Sequence, residues 1–138
     1  SVSGFTSGSY TIAPINNVIV DDNGGGSGSF DAGNYCWTVP VDGFYLVEFS
    51  ASMRYISGSH IALSAVYVDS GSGYSARVFG TTVVGQSGAV TNGTAIISAS
   101  ASHKIALYVY HNGGSGKNLI GDSVSSYKTH LGIRLVHI

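Results

Sequence analysis

The groups with which this 138-residue chain could do chemistry are few: five histidines, seven acidic residues of which Glu48 is the only glutamate, and one cysteine. His60, His103, His111, His130 and His137 show no His-x-x-x-His spacing that would put two imidazoles on one face for zinc, so structural or surface roles are expected of them. Asp21-Asp22-Asn23, in a Gly-rich run, offers hard oxygens of the kind calcium takes. The run lacks the spacing of any defined calcium loop and reads first as a solvated turn. Asp21 and Asp22 stand as calcium candidates, and no other metal or cofactor is expected. Cys36, with no second cysteine to pair with, reads as a small buried hydrophobe rather than a nucleophile. Gly24–Ser29 has neither the lysine nor the strand-to-helix setting of a phosphate loop. No Gly-x-Ser-x-Gly elbow occurs and nothing draws a Ser, a His and an Asp together, so the chain is not expected to be an enzyme. Asn92-Gly93-Thr94 matches a glycosylation acceptor, a match that chance readily supplies in a chain this rich in Gly, Thr and Asn.

The elements that would position these groups are strands. Charged residues make up 9% of the chain, far below the roughly one quarter of an ordinary domain, and 20 glycines accompany 2 prolines. No apolar run approaches the roughly 20 residues of a spanning helix, so membrane insertion is not expected. A net charge of −1 without a basic stripe argues against nucleic acid or an anionic bilayer as partner. One all-β domain over 1–138 that hides part of its surface in an oligomer fits best, with 1–9 a flexible or stalk-proximal segment.

The clearest strand follows Thr38-Val39-Pro40-Val41-Asp42-Gly43, where Gly43 is expected to take a positive φ as the chain reverses. Beyond it Tyr45, Val47, Phe49, Ala51 and Met53 alternate on one face of a strand over Gly43–Tyr55. Its second face begins with Phe44 and Leu46, which a monomer would leave wet. Further strands are expected near Ser3–Thr6, Tyr10–Ala13, Val18–Val20, Phe30–Asp31, Tyr35–Val39, Ile61–Val68, Tyr74–Val84, Thr94–Ser100, Ile105–Tyr110 and Tyr127–Ile138. Ile105-Ala106-Leu107-Tyr108-Val109-Tyr110 is the longest apolar run and reads as a strand covered on both faces. No window carries a capped 3.6-residue period, so no helix is expected. Regular turn spacing then favours a sandwich or jelly roll of about ten strands.

Phe30-Asp31, then Tyr35-Cys36-Trp37-Thr38-Val39-Pro40, then Gly43-Phe44-Tyr45-Leu46-Val47-Glu48-Phe49 resembles the signature of globular C1q-like domains, with Val47 at the middle aromatic position. Asn16 or Asn17 before Val18-Ile19-Val20 resembles the same family's entry to that region. Lys104–Tyr110 resembles its penultimate strand, and Thr129-His130-Leu131-Gly132-Ile133-Arg134-Leu135 its closing strand, with His130 and Ile133 replacing aromatics. The family's Gly-Asp turn is Ser102-His103 here. The resemblance runs from about Tyr10 to the end. It implies a jelly roll of the C1q and tumour-necrosis-factor type, three copies of which pack around a threefold axis.

On that footing Phe44, Leu46, Tyr108, Tyr110 and His130 are the expected trimer contacts, an exposed apolar patch being the usual mark of an interface. His130 would form a ring of one histidine per chain at the axis. The expected role is a non-catalytic, homotrimeric structural or adhesive head on a virion, as fibre tip or capsid decoration, or on a microbial appendage. The alternative is a secreted ligand or lectin-like module. Target contacts, to a cell-surface glycan or a protein receptor, are expected from loop residues Asp22, Asn23, Ser72, Tyr74, Asn112 and Lys117, with Tyr74 or Tyr127 stacking on a sugar.

Overall fold

Tyr45, Val47, Phe49, Ala51 and Met53 all point inward from one strand, and around them two six-stranded antiparallel sheets close a sandwich. The computed structural model describes residues 2–3 (backbone), 7–15, 30–85, 88–119 and 129–138. The strands are β1 (Val2–Ser3), β2 (Thr11–Ile12), β3 (Phe30–Asp31), β4 (Cys36–Thr38), β5 (Gly43–Arg54), β6 (Ala62–Asp69), β7 (Tyr74–Phe79), β8 (Thr81–Val84), β9 (Gly88–Ala99), β10 (Lys104–His111), β11 (Asn118–Leu119) and β12 (His130–His137). No helix occurs among the described residues, so none is long and apolar enough to cross a membrane.

The first sheet, sheet A, runs β1-β11-β5-β9-β8. β9 pairs with the whole of one edge of β5, while β12 and β11 share the other, at Phe44–Ser50 and Met53–Arg54. The second, sheet B, runs β3-β4-β10-β6-β7. There β4 and β2 share one edge of β10 and β6 takes the other. The pairings are nested: β6 with β7, β5 with β9 around them, β4 with β10 around those. A chain paired in this order is one long antiparallel hairpin folded over so that successive pairs fall in alternate sheets.

The inward residues of both sheets meet in one core, with Trp37, Val66, Val68, Ile105, Leu107 and Val109 facing the β5 row. Packing in this core explains a glycine. A Cβ on Gly93 would stand 2.6 Å from Phe49 Cζ on the paired strand, so the ring occupies the space a side chain would need.

The fold departs from expectation at three places. The single strand anticipated over Tyr74–Val84 is two strands in different sheets, broken at Gly80. There the chain crosses the edge of the sandwich so closely that a Cβ would lie 2.6 Å from Ser64 Oγ and 2.8 Å from Thr91 Oγ1. Hydroxyls tie the sheets at this crossing: Ser64 Oγ and Thr91 Oγ1 lie 2.6 Å apart, fully buried, and Thr82 Oγ1 donates to Ala62 O at 2.6 Å. The strand anticipated at Thr94–Ser100 instead begins at Gly88, because β5 is long enough to template all twelve residues. Gly43 has no positive φ. It is required by close approach, since a Cβ would meet His137 O at 2.6 Å and Leu135 Cδ1 at 2.7 Å. Val18–Val20 and residues 4–6 lie outside the described residues, as do Asn16 and Asn17.

Candidate binding surfaces

Each sheet turns one face to the core and one outward, and the two outward faces are built differently. On sheet A, alternation puts Phe44, Leu46, Glu48, Ser50 and Ser52 of β5 outside, beside Ile96 and Val90 of β9 and His130 and Arg134 of β12. Leu46 lies between Arg134 on one neighbouring strand and Ile96 on the other. Phe44 is 46% exposed and stacks on His137 at 6.2 Å between ring centres; Ile96 is 61% exposed. At the other end of the face the cross-strand pair Val83–Val90 is also exposed. Among the described residues Leu46 and Ser50 are half-buried and Ser52 is buried, so the exposed apolar surface of this face is carried by Phe44, Ile96, Val83 and Val90. Its charges are Glu48, Arg134 and, at the end of β5, Arg54.

On sheet B the outward positions carry rings. Tyr67 and Tyr108 stack with centres 4.2 Å apart, Tyr74 lies 5.5 Å from Tyr108, and Tyr10 lies 5.7 Å from Tyr67, 5.4 Å from Tyr110 and 6.3 Å from Phe79. Tyr10 arrives on the N-terminal segment, which β10 holds by Gly8 N–H to His111 O and Ala13 N–H to Leu107 O, both 2.7 Å. The rings form a roof. Ala65 and Ala106 sit on the outward side of their strands yet are wholly buried, as is Cys36, beside which the Tyr74 hydroxyl lies. Burial raises the hydroxyl pKa of Tyr10, Tyr67, Tyr74 and Tyr108 above the ordinary phenol value; the thiol of Cys36 adds to the effect at Tyr74. Phe79, where the row reaches β7, is 63% exposed. Of the charges on the strands of this sheet, Lys104 and Asp69 oppose each other at the ends of β10 and β6, Arg77 stands exposed on β7 and Asp31 lies on β3.

The residues expected to form one trimer contact therefore divide. Phe44, Leu46 and His130 lie on the outer face of sheet A; Tyr108 and Tyr110 lie on the outer face of sheet B, on the other side of the sandwich. The loop residues divide as well. Ser72 is exposed in the β6–β7 turn, where Asp69 Oδ1 accepts from Gly71 N–H at 2.8 Å and Gly73 N–H at 3.0 Å, bonds that lower the Asp69 pKa. Asn112 and Lys117 are at the opposite end of the strands. There Asn112 Oδ1 accepts from Ile61 N–H at 2.6 Å, and Lys117 packs against Gly113. Tyr74 opens β7 and belongs to the aromatic row rather than to a loop. Asp21, Asp22, Asn23 and Tyr127 lie outside the described residues.

Three histidines have local structural work: the Nδ1 atoms of His60, His103 and His111 accept from the backbone N–H of Ser57, Ser100 and Gly113 at 3.2, 3.2 and 3.3 Å. Among the described residues no three His, Cys, Asp or Glu side chains come together as a metal site would need. Sequence reasoning missed Tyr10, Tyr67 and Phe79 as members of one surface. Their only signal was outward parity in separate strands, which does not say which strands are neighbours. No protein-family model matches the chain, and neither does any curated protein.

Proposed function

We propose that this protein is a non-catalytic recognition and assembly head: a jelly roll of the C1q and tumour-necrosis-factor type that works as a homotrimer on a virion, as fibre tip or capsid decoration, or on a microbial surface appendage. The nested strand pairing supports the jelly-roll reading, since a folded-over hairpin is that topology. The observation that carries the assembly reading is the apolar outer face of sheet A, where Phe44 and Ile96 are exposed. Phe44, Leu46 and Ile96 stand there side by side, with Arg134 and Glu48 at their flank, and apolar surface of this kind on a folded domain marks a contact.

Closure matters for which residues take part. A contact joining opposite faces of the sandwich repeats in a line and gives a filament, whereas a ring needs contact patches that turn toward a common axis. Phe44, Leu46 and His130 share one face and can surround such an axis; Tyr108 and Tyr110 are left for another role. Light scattering at micromolar concentration tests this. The chain should scatter as three copies and Leu46→Asp as one, while far-UV circular dichroism stays unchanged. A monomeric wild type, or a trimeric Leu46→Asp, overturns the reading.

The second reading, a secreted ligand or lectin-like module, is favoured by the aromatic row on sheet B, which offers a binding surface whatever the oligomeric state.

A further inference from the structure

The outer face of sheet B has features that packing alone does not call for. The rings that seal Ala65, Ala106 and Cys36 belong to a longer row of six, linked ring to ring from Tyr74 through Tyr108 and Tyr67 to Tyr10, Tyr110 and Phe79, and the last of these is largely exposed. Five of the six carry a hydroxyl. Each half-buried ring offers roughly a third of the ~200 Å² that an aromatic side chain carries, so the whole row presents about 400–500 Å². That is about half of the ~800 Å² that each side of an ordinary protein–protein interface supplies. A narrow partner fits the row better than a globular one.

The chemistry narrows the partner further. Single-stranded nucleic acid stacks on aromatic rows, but it needs an excess of cations along the groove, and the two basic side chains on the strands of this sheet, Lys104 and Arg77, are matched in number by Asp69 and Asp31. An anionic bilayer needs basic residues too. What a neutral row of phenols suits is a chain with weakly polar C–H faces and many hydroxyls. The C–H faces lie on the negative π-faces of the rings, and the hydroxyls exchange hydrogen bonds with phenol O–H groups that both donate and accept. Tyrosine supplies such contacts at low entropic cost, having only two side-chain torsions to fix.

We propose that the row Tyr74–Tyr108–Tyr67–Tyr10, with Tyr110 and Phe79 at its end, is a binding site for a neutral oligosaccharide. This rests on the recognition-head reading and names its target class. A phenol is uncharged at neutral pH, and the tyrosine hydroxyls of the row can therefore both donate hydrogen bonds to an uncharged ligand and accept them from it. The site is completed from the N-terminal segment, because Tyr10 contributes the ring that joins Tyr67 to Tyr110 and Phe79.

The test is saturation-transfer NMR on the whole chain with soluble hexasaccharides of glucose, mannose and N-acetylglucosamine, and a heparin hexasaccharide as the charged control. At least one neutral sugar should receive saturation and the heparin fragment should not. Phe79→Ala, at a side chain too exposed to matter to folding, should weaken that sugar about tenfold. Tyr74→Phe, which keeps the ring and deletes one hydroxyl, should weaken it less. No transfer to any neutral sugar, preferential transfer to heparin, or transfer unchanged in Phe79→Ala overturns the proposal. Loss of trimer mass in Phe79→Ala also overturns it, since that assigns the face to self-association. Because the sugar readout does not use the mass, a wild type that is monomeric but binds sugar defeats only the trimer reading.

Discussion

The two outer faces of this sandwich begin from the same rule and end in different states. In each, alternate residues of long strands turn away from the core, and in each several are apolar. On sheet A the outward Phe44, Leu46 and Ile96 have small or polar neighbours and stay exposed or half-buried. On sheet B the outward tyrosines stand over alanines, lean on one another, and bury what lies beneath them. Parity in a strand therefore settles direction but not burial. Burial depends on whether the neighbouring strand offers a large ring or a small gap. One face is an open surface with apolar side chains in water; the other is a second, shallow core with a patterned exterior.

Truncating each face should separate them. Tyr67→Ala removes a ring that stacks on Tyr108 and meets Tyr10, and should cost about 2–3 kcal/mol of stability, somewhat less than the ~3–5 kcal/mol of a fully buried aromatic. Urea denaturation would read this, and a loss below about 0.5 kcal/mol would mean the roof adds nothing to the fold. Tyr10→Ala should cost less, about 1–2 kcal/mol, because only the N-terminal segment is released. Its sign is local: the His111 to Leu107 stretch of β10 keeps its β6 partner, while the amides of Gly8 and Ala13 should exchange with solvent faster.

Alkaline titration probes the sheet B roof without mutation. The phenol pKa values of Tyr10, Tyr67 and Tyr108 are raised in the folded state, so the folded chain holds its protons at a pH where the unfolded chain, near pH ~10, has begun to lose them. Stability from these groups is full below pH ~10 and falls as pH rises through the folded values. Melting temperatures recorded from about pH 8 upward should stay level to about pH 10 and then decline, and Tyr108→Phe should blunt the decline. The smallest effect on the fold is expected on sheet A. Ile96→Ser should change unfolding free energy by under about 0.5 kcal/mol, because its side chain is largely in water already, while lowering the concentration-dependent mass. A large loss of stability there would erase the contrast between the faces.

Much of the sandwich was legible because strand chemistry is local. The Tyr45–Met53 alternation, the continuous run at Ile105–Tyr110 and the Gly-rich turns each announce their element from within a few residues, and β5, β6 and β10 lie within a residue of where the pattern puts them. β9 was half-hidden, since Gly88-Ala89-Val90-Thr91-Asn92-Gly93 is poor in strand formers and becomes strand by pairing with β5. Gly80 is a local hint of a break, since a lone glycine in a strand weakens it, but the alternation on either side reads as one strand. The hydroxyls of Ser64 and Thr91, distant in the chain, leave no room for a Cβ there. The candidate site was less legible than the fold. Tyr108, Tyr110 and Tyr74 were recognised as surface residues, but the strand order that sets them beside Tyr10, Tyr67 and Phe79, and apart from Phe44 and Leu46, is a matter of long-range pairing.

By itself the sequence determined that this chain is all-β, where β5 and β10 run, and how the residues of β5 divide between two faces, because side chains alternate along any extended backbone whatever its neighbours. Only the tertiary structure decided which outward residues share a surface. The folded-over hairpin sends successive strand pairs to alternate sheets, so residues of identical local pattern, Leu46 and Tyr108 among them, come to rest on opposite sides of the molecule.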